Sequence, residues 1–277
     1  MRTCSSRERR PQHLRAIDHG ATGVIYIQIA QRASVNRSLH RCLLPLLSVV
    51  LLAFGCAHAA DAPGPALDSM EQRVKPCTSC HGNEGRATRE GYFPRIAGKP
   101  PGYLFNQLVN FRDGRRHFPM MTYIAQFQSD AYLREIAAYF GAQHVPYPAP
   151  EHTKSTAAVL ERGRQLVTEG DRTLSIPACN SCHGSRLLGV APAVPGLLGV
   201  SQDYLTAQLG AWRSGIRAAA APDCMRQLVH RMHPEDLDAA TAWLASQAVP
   251  EGAEPELSFE HAPQLECGSI VQGNHSP

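Results

Sequence analysis

Cys77-Thr78-Ser79-Cys80-His81-Gly82 recurs 102 residues later as Cys179-Asn180-Ser181-Cys182-His183-Gly184. Each copy reads as a c-type haem attachment site. Two thiols three positions apart each form a thioether to one haem vinyl group, and the next residue presents an imidazole to the iron. The following glycine leaves backbone room beside a flat macrocycle. Paired cysteines can also hold structural zinc or act as a thioredoxin-like redox dithiol. Zinc ribbons separate their pairs by roughly 15–20 residues, far less than the spacing here, and a redox dithiol does not need the adjacent histidine in both copies. Two covalent haem c groups are therefore expected, on Cys77 and Cys80 and on Cys179 and Cys182.

The repeat extends well beyond the motifs. At an offset of 101, Pro94 falls on Pro195, Gly98 on Gly199, Tyr103 on Tyr204, Gln107 on Gln208, Phe111 on Trp212, Gly114 on Gly215 and Arg116 on Arg217. A period near 100 means a duplicated domain rather than a solenoid. The halves are read as 64–146 and 155–249, with 147–154 as linker, 1–59 as leader and 250–277 as an acidic, proline-containing tail that wraps the surface or stays loose. Val145-Pro146-Tyr147-Pro148-Ala149-Pro150 is a stiff, extended connection. Helical spacing of apolar residues appears over 103–113 and 131–140, and Pro234 followed by Glu235 and Asp236 starts another helix over 234–247. No alternating strand pattern appears. The fold class expected is all-α: two tandem cytochrome c-like domains, each wrapped around one haem that supplies much of its core.

An iron with His81 or His183 on one side needs a sixth ligand. A thioether is soft, suits ferrous iron and raises the potential toward that of an electron carrier. Met120 and Met121 compete in the first half, and the repeat separates them: Met121 lies 18 residues before Tyr139 and Met225 lies 18 before Trp243, while Met120 falls opposite Cys224. Met121 and Met225 are the axial candidates, and Met70 and Met232 read as core filler. Pro94 and Pro195 follow their histidines by 13 and 12 residues, and their carbonyls could accept from the imidazole Nδ1–H. Arg116 and Arg217 could pair with haem propionates or stand as solvated charges.

Leu43 to Gly55 is an apolar run behind Arg37 and Arg41, and it leads into Ala57-His58-Ala59, the pattern of a secretory signal. It is short for a membrane span, which needs roughly 20 residues. The Arg-rich stretch before it makes an unusual leader start, and Val35 is the better candidate initiator. A lipid anchor on Cys56 fits poorly, since Ala53 and Phe54 do not make a lipobox. Export agrees with haem attachment, which occurs outside the cytoplasm. The net charge of +3 comes from the leader; beyond residue 60 there are 19 basic and 22 acidic residues, a balance of −3. Nucleic acid is not an expected partner. Cys224 and Cys267 remain after the motifs and leader are counted, and a disulfide between them would tie down the loop beside Met225.

These residues resemble the cytochrome c4 family of exported tandem di-haem c-type cytochromes over about 65–248. The likeness rests on both Cys-X-X-Cys-His-Gly motifs, the repeated Tyr-Leu and Phe/Trp-Arg-X-Gly-X-Arg stretches, the two methionines, and the closing segments Ile136 to Phe140 and Ala242 to Leu244. It implies His81/Met121 and His183/Met225 ligation, propionates near the domain interface, and single-electron exchange in the periplasm. The implied partners are redox proteins, such as a membrane quinol-oxidising complex as donor and a terminal oxidase as acceptor, with room for peripheral membrane association. The first half lacks the glycine that the second keeps at Gly163, Gln128 replaces a usual leucine, and Cys224 and the tail are atypical. The expected function is an electron shuttle rather than an enzyme. The alternatives are the cytochrome subunit of a periplasmic dehydrogenase, which the tail favours, and a di-haem peroxidase, which the paired methionines oppose.

Overall fold

The computed structural model describes residues 68–273 apart from residue 89; the leader, with Val35, Cys56 and the signal-like run, lies outside the described residues. Helix starts follow local chemistry. Ser69 caps α1 (Met70–Arg73) by accepting from Gln72 N, and the chain continues through Val74 into α2 (Lys75–His81), which carries the first haem motif and stops at Gly82. Gly82 has φ 75°, and a Cβ there would sit 2.5 Å from the Ala87 carbonyl oxygen, so only glycine turns the chain away after His81. Three further helices complete the half: α3 (Pro101–Arg112), α4 (Pro119–Ala125) and α5 (Asp130–Gly141), the last capped by Ser129.

The second half repeats this plan. Thr156 caps α6 (Ala157–Thr168), and α7 (Asn180–His183) carries the second motif. Then come α8 (Gln202–Ser214), capped by Ser201, α9 (Cys224–Val229), capped by Asp223, and α10 (Pro234–Ala245). A short α11 (Gly268–Gly273) lies in the tail. The helices expected over 103–113, 131–140 and 234–247 are α3, α5 and α10. The start of α3 is two residues early because Pro101 fits the first turn, where its missing N–H costs nothing. The described residues are mostly helical, as expected, with one short hairpin besides, β1 (Gly189–Val190) with β2 (Val194–Pro195), paired Gly189 to Pro195 and Val190 to Val194. Two residues per strand are too few for alternation to show in sequence.

Two apolar clusters form the core. The first holds Val74, Leu104, Phe105, Leu133, Ile136 and Phe140, with Met70 half-buried against it. The second is larger and includes Leu166, Val167, Trp212, Val229, Leu237 and Leu244, with Met232 inside it. There α6 and α10 cross closely, because Gly163 has no side chain: a Cβ would lie 2.1 Å from the Ala239 carbonyl oxygen.

The halves meet through their own repeat. Arg116 and Arg217 form an antiparallel bridge, with His117 N donating to Ile216 O at 3.0 Å and Ala218 N to Arg115 O at 2.6 Å. The connection between halves is held by Arg95, whose guanidinium donates to the Val145 and Pro146 carbonyls and stacks 3.9 Å from the Tyr147 ring centroid. Beyond Val249 the tail follows the second half and reaches the first, where α11 packs on α3.

Candidate haem sites

One cavity of about 640 Å³ runs through both halves. Cys77, Cys80, His81 and Met121 border it on one side, and Cys179, Cys182, His183 and Met225 on the other. The two motifs that sequence separates by about a hundred residues therefore face a common apolar space.

Each histidine is oriented by a carbonyl. His81 Nδ1 lies 2.9 Å from Pro94 O, and His183 Nδ1 lies 2.8 Å from Pro195 O. For that contact Nδ1 must carry the proton and donate, which leaves the Nε2 lone pair free. Burial depresses the pKa of both imidazoles, so the neutral form is favoured, the form that binds a metal. Burial also pushes the Cys77 thiol up to about 11 and the Cys179 thiol up to about 12. Among the described residues no three His, Cys, Asp or Glu side chains gather as a metal cage.

Met121 is half-buried at the start of α4, whereas its neighbour Met120 is 55 % exposed. Met225 packs against the second core cluster in the first turn of α9. Cys224 and Cys267 are joined in a disulfide, with 5.1 Å between their Cα atoms. Sequence could propose that pair but not their proximity.

Arg116 and Arg217 are both buried where the halves meet. Arg116 donates to Gln107 Oε1 at 2.9 Å, to Gln208 Oε1 at 2.6 Å and to Tyr204 OH at 2.8 Å; Arg217 donates to Gln208 Oε1 at 2.9 Å and Gln107 Oε1 at 3.0 Å. Each guanidinium thus holds the glutamine of its own half and that of the other. Each also lies over an aromatic ring, Arg116 4.5 Å from the Phe111 centroid and Arg217 3.7 Å from the Trp212 centroid. Lys99, also buried, donates from Nζ to Gly196 O at 2.8 Å. All three cations border the cavity, and their hydrogen-bond partners there are neutral. Desolvation drives Lys99 down to about 7 and, with repulsion from Arg116, Arg217 down to about 10. Buried charge without a counter-charge is costly. The missing anion is what haem propionates would supply, so the thiols, neutral imidazoles, thioethers and cations together fit two haem c groups.

The repeat had already paired Gln107 with Gln208; what it lacked was any sign that each glutamine serves the other half's arginine. Lys99 carries no such signal, since Val200 occupies the matching position.

No family model matches the chain. Relatives do. A protein of Thiomonas intermedia named thiosulfate dehydrogenase electron acceptor is 36 % identical over 213 residues, which span 75 % of this chain and 94 % of that one. Cytochrome c4 of Pseudomonas aeruginosa is 29 % identical over 201 residues, 72 % of this chain and 96 % of that one. The crystal structure of reduced cytochrome c4 from Pseudomonas stutzeri superposes with a TM-score of 0.57 at 27 % identity, covering 64 % of this chain and 96 % of that one. The chain belongs to the cytochrome c4 family. This c4-family protein is thus a di-haem c-type cytochrome with two covalent haems, and it carries electrons rather than transforming a substrate. Its partners are redox proteins, and relatives are named as the electron acceptor of thiosulfate dehydrogenase and as the cytochrome subunit of sulfide dehydrogenase. Cytochromes c4 are typically exported, and among the described residues no helix is long and apolar enough to cross a membrane. A thiosulfate dehydrogenase (TsdBA) from Marichromatium purpuratum also superposes, with a TM-score of 0.56 at 31 % identity; the match covers 62 % of this chain and 36 % of that longer one.

Proposed function

We propose that this cytochrome accepts electrons in the periplasm from a dehydrogenase oxidising thiosulfate or a similar reduced sulfur compound, and passes them to a terminal oxidase. Two relatives above 30 % identity bear the name of an electron acceptor for thiosulfate dehydrogenase, and a superposing chain is itself such an enzyme. The observation that carries the electron-transfer chemistry is the shared cavity with a histidine and a methionine from each half. Each haem belongs to its own half, 64–146 and 155–249. Bound haem supplies an iron that cycles between the ferrous and ferric states. His81 and His183, oriented by the Pro94 and Pro195 carbonyls, would hold the iron on one side, and Met121 and Met225 would be its ligands on the other. With both sides so ligated, the iron would exchange electrons without an open position for peroxide. A membrane quinol-oxidising complex is the second candidate donor, the one that the resemblance to cytochrome c4 implies.

Anaerobic mixing separates the donors. Haem reduction with thiosulfate and purified thiosulfate dehydrogenase, but not with quinol and a quinol-oxidising complex, is the expected result. Reduction only by the quinol system would overturn the sulfur reading, and a high-spin ferric protein that reacts rapidly with peroxide would overturn the carrier reading altogether.

The buried arginines give a second test. A cation beside the haems disfavours the ferric state, so its removal lowers the potential. Arg217→Met should lower at least one haem potential by roughly tens of millivolts, the order expected for one unit charge at an effective dielectric near 20. Arg217→Lys, which keeps the charge, should shift it less. Spectroelectrochemical titration reads both, and equal potentials in all three proteins would refute charge compensation by Arg217.

A further inference from the structure

The two methionine turns are built differently. In the first half, α4 begins after Phe118 with no side-chain cap. In the second half, the turn of α9 bearing Met225 is held from both sides. On one side Asp223 accepts from Arg226 N at 3.0 Å, Ala219 N at 2.8 Å and Trp212 Nε1 at 3.2 Å. On the other, Cys224 is bonded to Cys267, 43 residues away in the tail.

That tail is anchored at three separate places. Glu256 lies beside β1, with its N donating to Gly189 O at 2.9 Å and its O accepting from Ala191 N at 2.7 Å. Its carboxylate accepts from Ser185 Oγ at 2.9 Å and Arg186 N at 3.2 Å, directly after the second haem motif. Next to the disulfide, Gly268 N donates to Pro222 O at 3.0 Å, and a Cβ on Gly268 would sit 2.2 Å from the Ala221 carbonyl oxygen. Beyond it, buried Asn106 of α3 donates Nδ2 to Ser269 O at 2.8 Å, which ties α11 to the first half. Leu265, Cys267 and Ile270 also border the haem cavity. The segment therefore runs from the second motif past Met225 to the opposite half and closes the cavity wall on the way.

We propose that the Cys224–Cys267 crosslink and the tail it fastens are a positioning clamp for Met225, which keeps the second iron's sixth ligand from swinging away while Met121 has no covalent restraint. The inference rests on Met225 being that ligand. An outside ligand enters a closed iron only while the methionine is off, so its entry rate reports how often the turn opens. Freeing Cys224 lets the turn open locally without unfolding the half.

The test uses the ferric holoprotein mixed with imidazole in a stopped-flow instrument. In the double variant Cys224→Ser/Cys267→Ser, one haem should take up imidazole roughly tenfold to a hundredfold faster than in the wild type, a fraction of what a disulfide closing a long loop contributes. The potential of that haem should fall, and the other haem should keep its wild-type rate and potential. Met225→Ala identifies which haem is which. Unchanged entry rates in the double variant, with Met225→Ala still altering one haem, overturn the clamp and leave the ligand assignment standing. Spectra of both haems untouched by Met225→Ala overturn the assignment, and the clamp with it. Should the double variant not accumulate, Asn106→Ala loosens α11 with the crosslink intact: faster entry at the same haem supports the clamp, and wild-type rates at both overturn it.

Discussion

Met225→Ala removes the weak long-wavelength ferric band of thioether ligation from one haem, and Met121→Ala removes it from the other. Each variant is expected to lower the potential of its own haem by on the order of a quarter of the ~0.8 V span that axial ligation covers. The reason is the loss of a soft donor that favours ferrous iron, with water or a harder ligand taking its place. Met120→Ala is the control. Met120 is 55 % exposed beside half-buried Met121, so its loss should leave both bands in place. A band lost in Met120→Ala and kept in Met121→Ala would reverse the assignment in the first half.

Gly163→Val should destabilise the second half by roughly 3 kcal/mol, the upper part of the range for overpacking a tight contact. The wall it meets is backbone, the Ala239 carbonyl oxygen at 2.1 Å from an added Cβ, with Trp243 Cβ at 2.8 Å. Backbone in two crossed helices cannot rotate aside as a side chain would. Two effects compete here, because replacing a helical glycine by a residue with a side chain also removes up to about 1 kcal/mol of glycine's helix penalty. The contact outweighs it at Gly163. Gly210 in α8 supplies the opposite case, since nothing lies within 4 Å of a Cβ there. Gly210→Ala should raise stability by about 0.5–1 kcal/mol. Thermal unfolding followed at each haem's Soret band reads both, and a Gly163→Val protein as stable as wild type would refute the close helix crossing.

The haem motifs, the duplication and three of the five long helices, α3, α5 and α10, were readable in the chain because each depends on local chemistry: thiol spacing, apolar periodicity, a proline or serine at a helix start. The preference for Met121 over Met120 also came from the repeat, which supplies a second copy of the same spacing, and the Met120→Ala and Met121→Ala pair tests it. The β1–β2 hairpin was not readable, since two-residue strands owe their pairing to the turn between them rather than to alternation. Lys99 was not, because its partner Gly196 belongs to the other half and the repeat places a valine opposite it. Gly163 lies between these cases. Its presence stood out against the first half, but the reason for it is a carbonyl 76 residues further on.

What the sequence determined by itself is the identity of the chemistry: two covalent haems, a histidine and a methionine offered to each, and a mostly helical repeat to hold them. Only the tertiary structure decided that Gln107 and Gln208 are exchanged between Arg116 and Arg217, that those cations lie buried along one shared cavity, and that the tail returns to fasten the Met225 turn. Attachment and ligand type are set by residue types at short spacing, which a linear chain displays. Charge burial, exchanged hydrogen bonds and a crosslink spanning 43 residues depend on which surfaces meet, and that is settled only when the halves close on each other.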